Sequence, residues 1–165
     1  MRMGDNLVET KIRGVLPTAA GHTVFLQAGA FVYVVHIDGQ NGQALAGALN
    51  GIEHDRPLTH ELMYDILDGL EVEIDYVVIN EVEDSMFYAR IFLSMENELG
   101  TKIVEVDARP SDAMVLSVLM TAPLFTEQAV LDKVENVSQI IDNMLTKDED
   151  SEENEGEDDE EEEQK

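Results

Sequence analysis

Two dipeptides place a guanidinium directly before a proline and an apolar run: Arg56-Pro57 in RPLTHELMYDIL and Arg109-Pro110 in VDARPSDAMVLSVL. Asp107 and Asp112 flank the second arginine, while Thr59, His60 and Glu61 follow the first. A guanidinium can bind a phosphate through two parallel hydrogen bonds. A helix N-terminus adds free N–H groups and the positive end of its dipole. Carboxylates suit hard divalent ions such as Mg²⁺ or Mn²⁺, and an imidazole can move protons near neutral pH. The chemistry on offer is phosphate handling. Arg56 and Arg109 are the candidate anion-binding groups, Asp107, Asp112 and His60 the catalytic candidates, and Asp107 with Asp112 the candidate metal ligands.

A purely structural account competes with this one. Proline at the first helical position has its φ preset and lacks an N–H that would go unused there. An acid near the third position, such as Asp112, complements the helix end, and a cap contributes about 1 kcal/mol. The arginines fit that account less well, because a cation at a helix N-terminus opposes the dipole by about 0.3–1 kcal/mol. Ion pairs would explain them: Arg109 with Asp107 or Asp112, Arg56 with Asp55 or Glu61. A shared anion pocket requires both helix starts to converge in space.

No stronger motif is present. His60-Glu61 has no second histidine four residues on, and there is no phosphate-binding glycine loop or nucleophile elbow. His22, His36 and His54 are scattered. With no cysteine, disulfides and thiolate metal sites are excluded.

The elements that must position these groups follow from periodicity. Val8–Ile12 alternates as a strand, and HTVFLQ and FVYVVHI are β-branched runs joined at Ala28-Gly29-Ala30. Pro17–His22 reads as a loop. QALAGALNG predicts a short helix whose alanine and glycine faces admit a close neighbour. Leu62, Ile66 and Leu70, widened by Met63 and Leu67, predict a helix with an apolar stripe for the core. VEIDYVVIN, MFYARIFLSM and TKIVEVDA predict an antiparallel meander, followed by a helix over Ser111–Met120, a strand at PLFT and helices in EQAVLDKV and ENVSQIIDNML. Clustered strands predict an α+β fold: a largely antiparallel or mixed sheet with helices packed on it. The expected organisation is one domain over 1–132, a C-terminal helix over 133–146 and a disordered acidic tail over 147–165.

Charge constrains partners. The 165 residues carry 36 acidic and 10 basic side chains, a formal net charge of −26. Lys147–Lys165 holds 13 of the acids, yet the rest still balances at −15. Such a field repels nucleic acid, so polyanion binding requires a local site. The tail could solvate the chain or dock a basic partner. With no apolar signal core and no run of about 18 apolar residues, the expectation is a cytoplasmic protein without membrane contact.

The two arginine-proline segments, with VEIDYVVINEVEDSMFYARIFL between them, resemble the signature segments of the bifunctional nuclease family over Glu9–Asp132. That resemblance implies an α+β domain that self-associates as a homo-oligomer, and cleavage of both DNA and RNA. Arg56, Pro57, Thr59 and His60 match the first motif; Asp107, Arg109, Pro110, Ser111 and Asp112 match the second. One segment departs. Val34 stands where the family has proline, Asp38 where it has glycine, and Asn41 where it has glutamate. If that glutamate is a ligand or base, Asn41 cannot supply its charge. The resulting expectation is a nuclease that hydrolyses phosphodiesters with Mg²⁺ or Mn²⁺. The alternative is a non-catalytic oligomeric module for a small anionic ligand or protein partner.

Overall fold

A computed structural model describes residues 6–98 and 100–139. Its strands are β1 (Leu7–Thr18), β2 (Gly21–Ala28), β3 (Phe31–Ile37), β4 (Val72–Glu83), β5 (Met86–Asn97), β6 (Gly100–Ala108) and β7 (Leu124–Glu127). Its helices are α1 (Gly39–Leu49), α2 (Thr59–Gly69), α3 (Pro110–Leu119) and α4 (Gln128–Leu131). The fold is α+β, and the order of elements is the one periodicity predicts. Of the expected C-terminal helix over 133–146, residues 133–137 are turn and loop, and the part from 140 on, like the acidic tail over 147–165, lies outside the described residues.

The seven strands form one mixed sheet in the order β3-β2-β1-β7-β4-β5-β6. It consists of two antiparallel meanders fused at β7. That four-residue strand runs antiparallel to β1, with Thr10 opposite Leu124, and parallel to β4, with Val77 opposite Leu124. The β4–β5 turn has positive φ at Asp84 (47°) and Ser85 (66°), the two-residue hairpin geometry that matches strand twist.

The core lies between sheet and helices, with Val24, Leu26, Leu45, Val77, Ile79, Met114 and Val115 at its centre. Helix α3 is apolar nearly all round. It is buried from Pro110 to Ser117 except at Asp112, as expected of a helix in the middle of a domain. Helix α1 meets the sheet through Gly42, where a Cβ would fall 2.1 Å from the His22 ring.

A buried hydroxyl relay ties the first meander to β7. The Thr10 hydroxyl donates to the Val8 carbonyl (3.0 Å), so it must accept from Thr126 (2.8 Å), which in turn accepts from Tyr33 (2.7 Å). Burial pushes the Tyr33 hydroxyl well above its ordinary pKa, although the Thr126 hydrogen bond acts the other way.

Four expectations need correction. Strand β1 runs to Thr18, so the expected loop at Pro17–His22 shrinks to a tight turn. Helix α1 starts at Gly39 rather than Gln43 because Asp38 caps it. Helix α2 starts at Thr59 with Leu58 as N-cap, so Pro57 precedes the helix instead of opening it. Finally, the α2 stripe faces outward: Leu62, Ile66 and Leu70 are 50%, 52% and 59% exposed.

Candidate functional site

Three helix starts converge on one cleft of about 880 Å³. Its walls include Asn41 from α1, Thr59, His60 and Met63 from α2, and Asp107, Arg109 and Asp112 from the β6–α3 junction. Each helix start already has a carboxylate of its own. Asp38 Oδ1 accepts from the Asn41 N–H (2.9 Å) at α1, and Asp112 stands in the first turn of α3. At α2, Glu61 accepts from the Leu58 N–H (2.7 Å). Leucine offers no acceptor in return, so only half of a capping box exists there. That backbone hydrogen bond, followed by the one from His54 Nδ1 (2.7 Å), holds Glu61 below the usual carboxylate range.

His60 is buried and its Nε2 lies 2.9 Å from Asp112 Oδ1. Asp112 also receives Arg109 Nε at Oδ2 (2.8 Å) and Arg109 Nη2 at Oδ1 (3.3 Å). Burial works against ionising Asp112, but the hydrogen bonds from Arg109 and His60 and the charge of Arg109 outweigh it, and its pKa is lowered. An ionised carboxylate only accepts, so His60 Nε2 carries the proton of this contact. In the neutral ring, Nδ1 is then a bare nitrogen with a free lone pair. Among the described residues it has no partner.

Arg109 is held by one edge. Nε and part of Nη2 are engaged by Asp112, Nη1 is 3.8 Å from Asp38 Oδ2, and the side chain remains 67% exposed. The hydrogen bond to Asp112 is the first cause of its raised pKa. Of the two ion pairs the sequence offered for Arg109, the structure has the one with Asp112, and it adds Asp38. A clasped guanidinium with its outer edge open is fixed in direction and can still accept a phosphate.

Asn41 replaces charge with a bridge. It is buried, and its Nδ2 donates to Asp38 Oδ2 (2.9 Å) and Ser111 Oγ (3.1 Å), joining α1 to α3. Sequence reasoning noted Asp38 only as a departure and missed its role. The signal was there: an aspartate three residues before an asparagine at a strand end is an N-cap pattern.

The arginines do not share the cleft as anticipated. Arg109 lines it; Arg56 is exposed, does not line it, and forms no ion pair or hydrogen bond among the described residues. The two helix starts do meet, but through His60 and Asp112. Asp107 and Arg109 line both this cleft and a second hollow of about 550 Å³, which Asp38 and Asp84 also border. No three His, Asp or Glu side chains among the described residues are grouped to hold a metal ion, and both Asp112 oxygens are already engaged. Asp107 and Asp112 as placed therefore form no ready nest for a divalent ion. Among the described residues no helix is long and apolar enough to cross a membrane.

Comparison with known proteins agrees with the two-motif layout. A family model described as the bifunctional nuclease domain matches residues 26–139. Two uncharacterized proteins of Mycobacterium tuberculosis, from different strains, are each 32% identical over 94 residues, covering 54% of this chain and 53% of theirs. The chain thus spans about half the length of the curated relatives it matches.

Proposed function

We propose, on the premise that the chain belongs to the bifunctional nuclease domain family, that it hydrolyses phosphodiester bonds of DNA and RNA in the His60–Arg109 cleft. One observation carries this reading: His60 and Arg109 line the same hollow, and Asp112 binds both. His60 Nδ1 takes the proton of the attacking water as its oxygen bonds to phosphorus. Arg109 stabilises charge on the non-bridging oxygens, and the leaving oxygen takes its proton from solvent. Asp112 keeps the imidazole in the tautomer this step requires. Arg56, outside the cleft, contacts a more distant phosphate of the strand. Mg²⁺ or Mn²⁺ on Asp107 and Asp112 would require Asp112 to release Arg109. The test is incubation with single-stranded DNA and RNA, with and without each ion. Wild-type cleavage in both His60→Ala and Arg109→Ala would sink the assignment.

A second reading has its own support: Asn41 is neutral, and carboxylates already meet all three helix starts. On that view the cleft binds a small anion at Arg109 without turnover. A nucleotide at 100 times its Kd would then raise stability by about 2.7 kcal/mol while remaining intact.

A further inference from the structure

The two edges of the sheet are treated differently. At β3 the chain covers its own edge: the Val137 N–H donates to the Val32 carbonyl (2.7 Å), and the Val32 N–H donates to Asn136 Oδ1 (3.2 Å). At the other end β6 is the last strand, and its first eight residues are exposed. Three are apolar: Ile103 (50%), Val104 (38%) and Val106 (38%). Among the described residues no strand pairs with the outer side of this nine-residue edge, and such an edge, with three exposed apolar side chains, is a template for pairing.

The surroundings extend this surface. Val106 shares an apolar groove of about 190 Å³ with Met63 and Ile66 of α2, floored by Ile91, Leu93 and Leu116. Leu62 and Leu70 continue the exposed stripe along α2.

We propose that β6 is the seam of a two-fold dimer of this chain, pairing antiparallel with β6 of a second copy about Val104. The charge pattern selects both occupant and register. A two-fold axis normal to the sheet keeps each face continuous, so each strand residue meets one of the same parity. Centring on Val104 pairs all nine residues from Gly100 to Ala108. It places Lys102 opposite Val106, Ile103 opposite Glu105, and Thr101 opposite Asp107, so no charge meets a like charge. Moving the centre to Glu105 sets Glu105 against itself; moving it to Val106 sets Glu105 against Asp107. Such pairs are destabilising. Moving it to Ile103 leaves Asp107 and Ala108 unpaired. Arg90 further offsets Glu105 by an ion pair within each copy.

The seam has a consequence for the cleft. Val106 lines it, and the second copy's Lys102 would stand beside Val106 on the same face, Cβ to Cβ about 5 Å. The dimer would thereby bring a second cation to a cleft whose own guanidinium, Arg109, is already paired with Asp112. This clause rests on the proposed function; the seam does not.

The chain has no cysteine, so a Val104→Cys variant of the full protein carries one thiol, placed at the axis. Sedimentation of wild type at twice 18.4 kDa is expected. The thiols should cross-link about 10²-fold or more faster than those of Ile52→Cys, since a seam gives an effective concentration of order mM. Val104→Asp, which opposes two carboxylates, should sediment as a monomer with an unchanged circular dichroism spectrum. A wild-type monomer, or equal cross-linking rates for the two thiols, would overturn the seam. If cross-linking holds but Lys102→Ala cleaves DNA and RNA as wild type does, the cation's role falls and the seam stands. Absence of cleavage in wild type would instead remove the proposed function.

Discussion

His60 Nε2 and Asp112 Oδ1 stand 2.9 Å apart although 52 residues separate them in the chain. This contact joins the first turns of α2 and α3, fixes the tautomer of the buried ring and leaves the opposite nitrogen open. His60→Ala is expected to lower cleavage of single-stranded RNA by about 10²–10⁴-fold, the usual contribution of a positioned base. Asp112→Asn keeps the shape but permits the other tautomer. It should reduce kcat more than it raises KM, and single-turnover rates separate the two effects.

Arg109 and Arg56 should behave differently. Arg109→Ala removes an oriented guanidinium from the cleft and is expected to reduce kcat by roughly 10²–10³. Arg109→Lys should not restore it, because an ammonium cannot span both Asp112 oxygens and a phosphate. Arg56→Ala should leave kcat near wild type and act only on binding. Equal losses in the two alanine variants would contradict their different placement.

Stability should depend on pH through Asp112. Its pKa is lower in the folded chain than in the unfolded one, so the unfolded state binds more protons in the window between the two values. The contribution is complete above the ordinary carboxylate pKa and disappears as pH falls through the lowered folded value. Urea unfolding across acidic pH should therefore show a gap between wild type and Asp112→Asn that closes on acidification. A gap that widens would reverse the sign.

Restoring an acid at position 41 should destabilise the chain. Asn41→Asp removes a donor shared by Asp38 and Ser111 and sets a second carboxylate against Asp38. A loss of about 2–3 kcal/mol in urea unfolding at neutral pH is expected, shrinking at low pH as the pair protonates.

The hydroxyl relay gives a prediction remote from the cleft. Thr126→Val leaves the buried Tyr33 hydroxyl without its acceptor, at a cost of about 1–3 kcal/mol by thermal or chemical unfolding. Cleavage per folded molecule should not change.

The sequence by itself determined the order of elements, the β2–β3 junction, the β4–β6 meander and the helix that opens at Arg109-Pro110, because period-two and period-3.6 patterns and a proline at N1 are local and each is read over a few residues. It also marked Arg109, Asp107, Asp112 and His60 as the groups able to do chemistry. Only the tertiary structure decided what they do together. Strand β7 is four residues long, and its place depends on pairing with β1 across more than 100 positions and with β4 across 47, which no local pattern encodes. Likewise Arg56 and His60 are four residues apart, but Glu61 reaching back to Leu58 starts α2 at Thr59, leaving the arginine outside the helix and turning the histidine inward to Asp112. The same docking directs Leu62, Ile66 and Leu70 toward solvent. A stripe specifies that one face of a helix seeks apolar company; which partner supplies it is fixed in three dimensions.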